Sequence, residues 1–266
     1  MPSEDDTLEI LTPSAVMLPV LTGLRAALSR LGDTKTKSAP RVWDNIDFPA
    51  AASLMARFAL AGQGFEDGIV PADDPGTDID IRHRLSIELE IMSPEDLVER
   101  FAGIIEGAPL TRLYRRVSES PDVSRLMKDS MALGWGGFSV VSADTAGQQT
   151  IRRRRMFTDY FRGDFDWTRV RAWELSQASA LIELALHAEM ITADEALPYQ
   201  RRVAGEAMVR WASWTAFARA LLTARVFESL PEGESQARAC TARDEALLTR
   251  FLQTCWQTQP WPRVAG

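Results

Sequence analysis

Ser93-Pro94-Glu95-Asp96 narrows the fold more than any other segment. A serine that can cap, a proline suited to the first helical position and two acids at the positive end of the helix dipole mark a helix start. Leu97, Phe101, Ile104 and Ile105 follow as one buried stripe, with Gly107 and Pro109 expected to close it. The same grammar recurs. Asp47 precedes Phe48-Pro49 and an apolar face of Leu54, Met55, Phe58 and Ala59. Thr192, with Asp194 and Glu195 in the first turn, opens another helix. Ser213 caps one whose inner face carries Phe217, Ala220, Leu221 and Ala224, and which Pro231 and Gly233 end.

Apolar spacing adds further helices. One runs over Ser14–Leu31 and ends at Gly32 as its C-cap. Others cover Leu110–Val117, Asp122–Leu133 and, as a basic helix, Gln148–Phe161. A long helix follows Asp166 to about Met190, with Trp173, Ala180, Leu181, Leu184 and Ala188 on one face. The last covers Glu234 to about Thr254. Asp78–Ile91 reads as helix, but partial alternation leaves a strand open there. Residues 62–77 read as a surface loop and 142–150 as a polar connection. Phe138–Val141 is a candidate short β element, though one such run makes no sheet.

The expectation is therefore an all-α or nearly all-α fold. An N-terminal helix and linker span 1–45, a single helical domain spans 46–255, and a tail spans 256–266. The tail tryptophans Trp256 and Trp261 are expected to dock back onto the body.

Composition supports a folded chain and limits its role. Hydrophobic residues at 45% and charged residues at 25% argue against disorder and against a membrane protein. The acidic start MPSEDDTLEI has no secretory pattern, and Cys240 and Cys255 read as free thiols. A cytoplasmic protein is expected. The net charge of −7 speaks against general nucleic-acid binding.

Chemistry is sparse. His83 and His187 are the only histidines, and neither sits in a nucleophile pattern. No spacing of Cys, His or Glu fits a metal site, so no catalytic residue, metal or cofactor is assigned. Asp73-Asp74-Pro75-Gly76-Thr77-Asp78-Ile79-Asp80 lacks the ligand spacing of a calcium loop and reads as solvated. Gly134-Trp135-Gly136-Gly137 lacks the Lys-Ser/Thr of a phosphate loop and reads as a turn. The sharpest feature is Arg152-Arg153-Arg154-Arg155. Four successive helical residues spread around the whole circumference, so they form one anion-binding stripe only if other arginines join. Asp164 and Asp166, beside Trp167 and Arg169, are the first suspects for a carboxylate site.

Trp173-Glu174-Leu175-Ser176-Gln177-Ala178, Ile191-Thr192-Ala193-Asp194-Glu195-Ala196 and Ser213-Trp214-Thr215-Ala216-Phe217-Ala218 carry a further signal. With Leu89–Leu97 upstream, they resemble the bacterial family called domain of unknown function 1266, over about residues 50–230. The departures are specific. Gln177 stands where the family has arginine, the turn glycines fall near Ala185 and Glu189, the tyrosine near Met190, and Gly-Arg at Ala224-Arg225. The resemblance implies a helical fold. If the family binds through that arginine and those glycines, the departures imply that this member has lost such a site, with Gln177 in place of the one arginine and Arg225 all that remains of Gly-Arg. A non-enzymatic interaction module with another protein as partner is expected: a regulator, an adaptor or a toxin-immunity partner. An enzyme with a carboxylate/arginine site and a nucleic-acid binder using Arg152–Arg155 are the alternatives.

Overall fold

A computed structural model describes residues 14–33, 47–71, 75–120, 145–165, 167–258 and 261. Their helices are α1 (Leu18–Asp33), α2 (Phe48–Gly62), α3 (Pro75–His83), α4 (Pro94–Ile105), α5 (Pro109–Glu119), α6 (Thr145–Tyr160), α7 (Arg171–His187), α8 (Ala193–Arg210), α9 (Trp214–Ser229), α10 (Glu234–Gln253) and α11 (Cys255–Thr258). Single 3-10 turns occupy Glu66–Gly68, Trp167–Val170 and Leu230–Glu232, and a π turn occupies Arg84–Glu88. The fold is all-α, with no strand among the described residues. None of these helices is long and apolar enough to cross a membrane.

The capping signals work as read. Ser93 Oγ accepts from the Asp96 amide at 3.2 Å, and Asp96 accepts in return from the Ser93 amide at 2.9 Å. Thr192 and Glu195 form the same reciprocal pair on α8. Asp47 Oδ1 caps α2 through Ala50 N, and Ser213 Oγ caps α9 through Ala216 N. Each box satisfies amides that the first helical turn leaves without partners.

Several boundaries differ from expectation. Gly32 lies inside α1, not beyond it. The left-handed residue after α4 is Ala108 (φ 40°), not Gly107. Pro109, which cannot extend α4, instead begins α5 at the position where a missing amide costs nothing. The 62–77 region holds a 3-10 turn and the start of α3, and the 142–150 connection is helical from Thr145. Gly147 and Thr150 are buried there, so packing overrides the polar composition. Over 78–91 the chain is α then π helix, and the strand is not formed. The expected features at Asp73-Asp74, Asp122–Leu133, Gly134–Gly137, Phe138–Val141 and Asp166 lie outside the described residues.

The end of α7 corresponds to a departure noted in the sequence. Glu189 is left-handed (φ 53°), and its amide donates to Leu186 O at 3.0 Å. The Met190 amide reaches Ala185 O at 2.9 Å. This is a Schellman closure, which glycine adopts most readily, at one of the positions where the family resemblance places a turn glycine.

The chain divides into two compact units, each gathered from three stretches. Unit one comprises Met1–Asp33, Pro109–Arg171 and Arg219–Ala246. In it α5 packs on α6. Its aromatic centre is Tyr114, Phe157 and Phe227, with Tyr114 and Phe227 edge-on at 5.0 Å. Unit two comprises Thr34–Ala108, Ala172–Ala218 and Leu247–Gly266. In it α2 packs on α8. Trp214 stacks on Trp256 at 4.9 Å and meets Trp261 edge-on at 4.7 Å. Trp256 Nε1 donates to Leu54 O at 3.0 Å, so both tail tryptophans dock on this unit.

Candidate functional site

The arginine run sits on α6, and helical geometry sorts it. Ile151, Phe157 and Phe161 face the core, so Arg154 and Arg155, three and four residues after Ile151, also turn inward. Arg152 is exposed and Arg153 half-buried. The run therefore presents no four-cation face to solvent.

Each inward arginine has a distinct environment. Arg155 is 1% exposed. Its Nε donates to Asp159 Oδ2 at 2.8 Å, and its Nη1 donates to Val117 O at 2.9 Å and to Ser120 O. Those carbonyls close α5, where a cation is favoured by the helix dipole. The other Asp159 oxygen takes Arg162 Nη2 at 2.5 Å. Arg153 forks onto Glu234, with Nε to Oε1 at 2.8 Å. Glu234 opens α10, and this hydrogen bond holds its carboxyl below the usual range. Arg154 is 3% exposed, with its guanidinium carbon 5.5 Å from the Phe227 ring centroid. Its buried Nε–H has no acceptor among the described residues. Burial pushes its pKa down to about 10, against support from Glu228.

Arg225 joins this unit from α9. It pairs with Glu228 and lies 3.5 Å from Asp244, which Arg243 also holds at 2.8 Å. Cys240 Sγ donates to Asp244 Oδ2 at 3.1 Å. Burial, and then the Asp244 carboxylate, push this thiol up to about 12, so it stays protonated and inert at neutral pH.

Two further suspects belong to different units. Asp164 is more than half exposed and pairs with Arg25, whose guanidinium covers Tyr160 at 4.9 Å. Gln177 is half-buried in unit two. The described residues contain no cluster of three or more His, Cys, Asp or Glu placed to hold a metal.

Glu183 belongs to no sequence motif. In unit two, burial raises its carboxyl to about 7, with Arg57 and a hydrogen bond from Ser53 only partly opposing this. A carboxyl titrating near neutrality is a frequent mark of functional sites. It also sets a pH dependence. The native state binds the proton more tightly than the unfolded chain, whose ordinary value is 4.5. The contribution to stability is therefore complete below that value and is lost as pH rises through about 7. Glu183→Gln is expected to raise stability on the order of 2 kcal/mol at pH 8 and to change it little at pH 4. Urea titrations at the two pH values read this directly, and an equal effect at both would remove the assignment.

A family model described as protein of unknown function (DUF1266) matches residues 97–263. No curated protein and no solved structure matches the chain.

Proposed function

Since this chain belongs to the DUF1266 family, we propose that it acts as a non-enzymatic protein-interaction module, a regulator, adaptor or toxin-immunity partner, whose contact surface lies in unit two. The observation that carries this reading is an apolar series in the 79–98 segment. Ile79, Ile87, Met92 and Val98 are all exposed, Met92 to 77%. Scattered exposed apolar residues are ordinary, but several in one short stretch mark contact surfaces.

The backbone supports their presentation. Leu85 and Ile91 are buried and anchor the segment, while the Ile91 amide donates to Leu85 O at 2.8 Å. The π turn Arg84–Glu88 carries exposed Ile87, and left-handed Glu90 (φ 57°) leads into buried Ile91 and exposed Met92. π turns and non-glycine residues at positive φ are costly and tend to persist at functional positions. Exposed Asp80, Glu88, Glu90, Glu95 and Glu99 outnumber exposed Arg82 and Arg100 around the apolar residues. A protein partner with an apolar patch and a basic rim complements that pattern. The arginine run offers no rival face, because only Arg152 of the four is exposed.

The test is affinity capture from the native host by the full chain beside an Ile87→Glu/Met92→Glu double variant, with mass spectrometry at low and high salt. One stoichiometric protein that binds the parent and not the variant is the expected result. A protein captured equally by both, or nucleic acid lost at high salt, would overturn this reading.

A further inference from the structure

Among the described residues of unit one, the buried guanidinium of Arg154 is matched by no carboxylate. Asp159 takes Arg155 and Arg162, Glu234 takes Arg153, Asp244 takes Arg243 and Arg225, and Glu228 takes Arg225. The Nε–H of Arg154 has no hydrogen-bond acceptor among the described residues, although the residue is only 3% exposed. Phe227 offers its ring face and Glu228 a supporting field, but neither accepts the Nε–H. Buried guanidinium groups are ordinarily paired, since desolvating a charge is costly without hydrogen-bond acceptors. An apolar side chain of similar length would suit this environment better.

We propose that Arg154 is the cationic centre of a binding site in unit one for a small oxyanion, a carboxylate or phosphate group taken side-on by the Nε–H and Nη–H fork. That edge matches two oxygens of one ligand group and gives charge-assisted hydrogen bonds in a desolvated setting. The Phe227 ring lies 5.5 Å from the guanidinium carbon, within cation–π range, and accepts no hydrogen bond from the Nε–H. An unpaired buried cation lowers the stability of the empty protein and persists where binding recovers the loss.

Inorganic phosphate, sulfate and acetate are the probes, titrated into the full chain at ionic strength fixed with chloride. At least one is expected to shift the Arg154 Nε–H resonance saturably and to raise the melting temperature. Phosphate and sulfate acting without acetate indicates a phosphoryl ligand, and acetate acting alone indicates a carboxylate. Arg154→Lys keeps the charge without the fork and is expected to weaken binding at least about tenfold. Arg154→Met is expected to melt higher than the parent without anion and to lose the response, whereas Arg152→Gln keeps it. No saturable shift with any probe, an unchanged response in Arg154→Lys, or a lower melting temperature for anion-free Arg154→Met would overturn the proposal. The resonance shift is read on the parent protein and does not depend on any variant folding.

Discussion

Asp159→Ala is expected to destabilise the protein by about 3–5 kcal/mol, the usual result of removing one member of a buried ion pair. The carboxylate is 1% exposed at its side chain and serves Arg155 from within the core. Its loss removes the carboxylate that accepts from Arg155 Nε in the core, while Nη1 keeps the carbonyls of Val117 and Ser120. Arg162, 41% exposed at its side chain, turns to water at little cost and does not offset the loss. Urea denaturation measures the change. Combining Asp159→Leu with Arg155→Met removes both charges together and is expected to recover a large part of the deficit. A loss under about 1 kcal/mol in Asp159→Ala would mean that Arg155 reaches solvent without its partner.

Gly68→Ala is the second large effect, about 3 kcal/mol or more. Gly68 has φ +67°, and an added Cβ would lie 2.0 Å from the carbonyl oxygen of Arg57. The obstacle is backbone of α2, so no rotamer change relieves it. Gly64 provides the comparison, because it has φ +99° and open space around its missing side chain. Gly64→Ala is expected to cost only the conformational strain, about 1 kcal/mol. Equal losses for the two variants would show that the close approach to Arg57 relaxes freely.

The helix starts were legible because a cap is a local device. Ser93 needs only Asp96, and Thr192 only Glu195, three residues on. Gly32 and Gly107 do not mark the helix ends, since boundaries shift by a residue or two: α1 continues through Asp33, and the left-handed residue after α4 is Ala108. The circumference argument for Arg152–Arg155 was sound, but deciding which arginines face inward required the register set by Ile151 and Phe157. Within the site, Arg155–Asp159 and Arg225–Glu228 lie at helical neighbour spacing and were open to sequence reading. Arg153–Glu234 joins residues far apart in the chain and carried no local signal. Glu183 escaped for another reason. Helix α7 buries Leu175, Ala178, Ile182 and Ala185 as well as the expected Trp173–Ala188 face, so no polar side remained to predict where a carboxyl would be desolvated.

The docked tail has an optical consequence. Trp214 and Trp256 lie nearly parallel, with 16° between their ring planes. Two indoles in such contact act as a coupled chromophore, and its near-ultraviolet dichroism depends on their mutual geometry rather than on either ring alone. Both rings belong to unit two, whereas the aromatic centre of unit one is built from Tyr114, Phe157 and Phe227. The coupled band is therefore an intrinsic gauge of one unit's integrity, usable without a label. Set beside a probe of whole-chain helicity during denaturation, it supplies the comparison of transitions on which any two-state treatment of this protein depends.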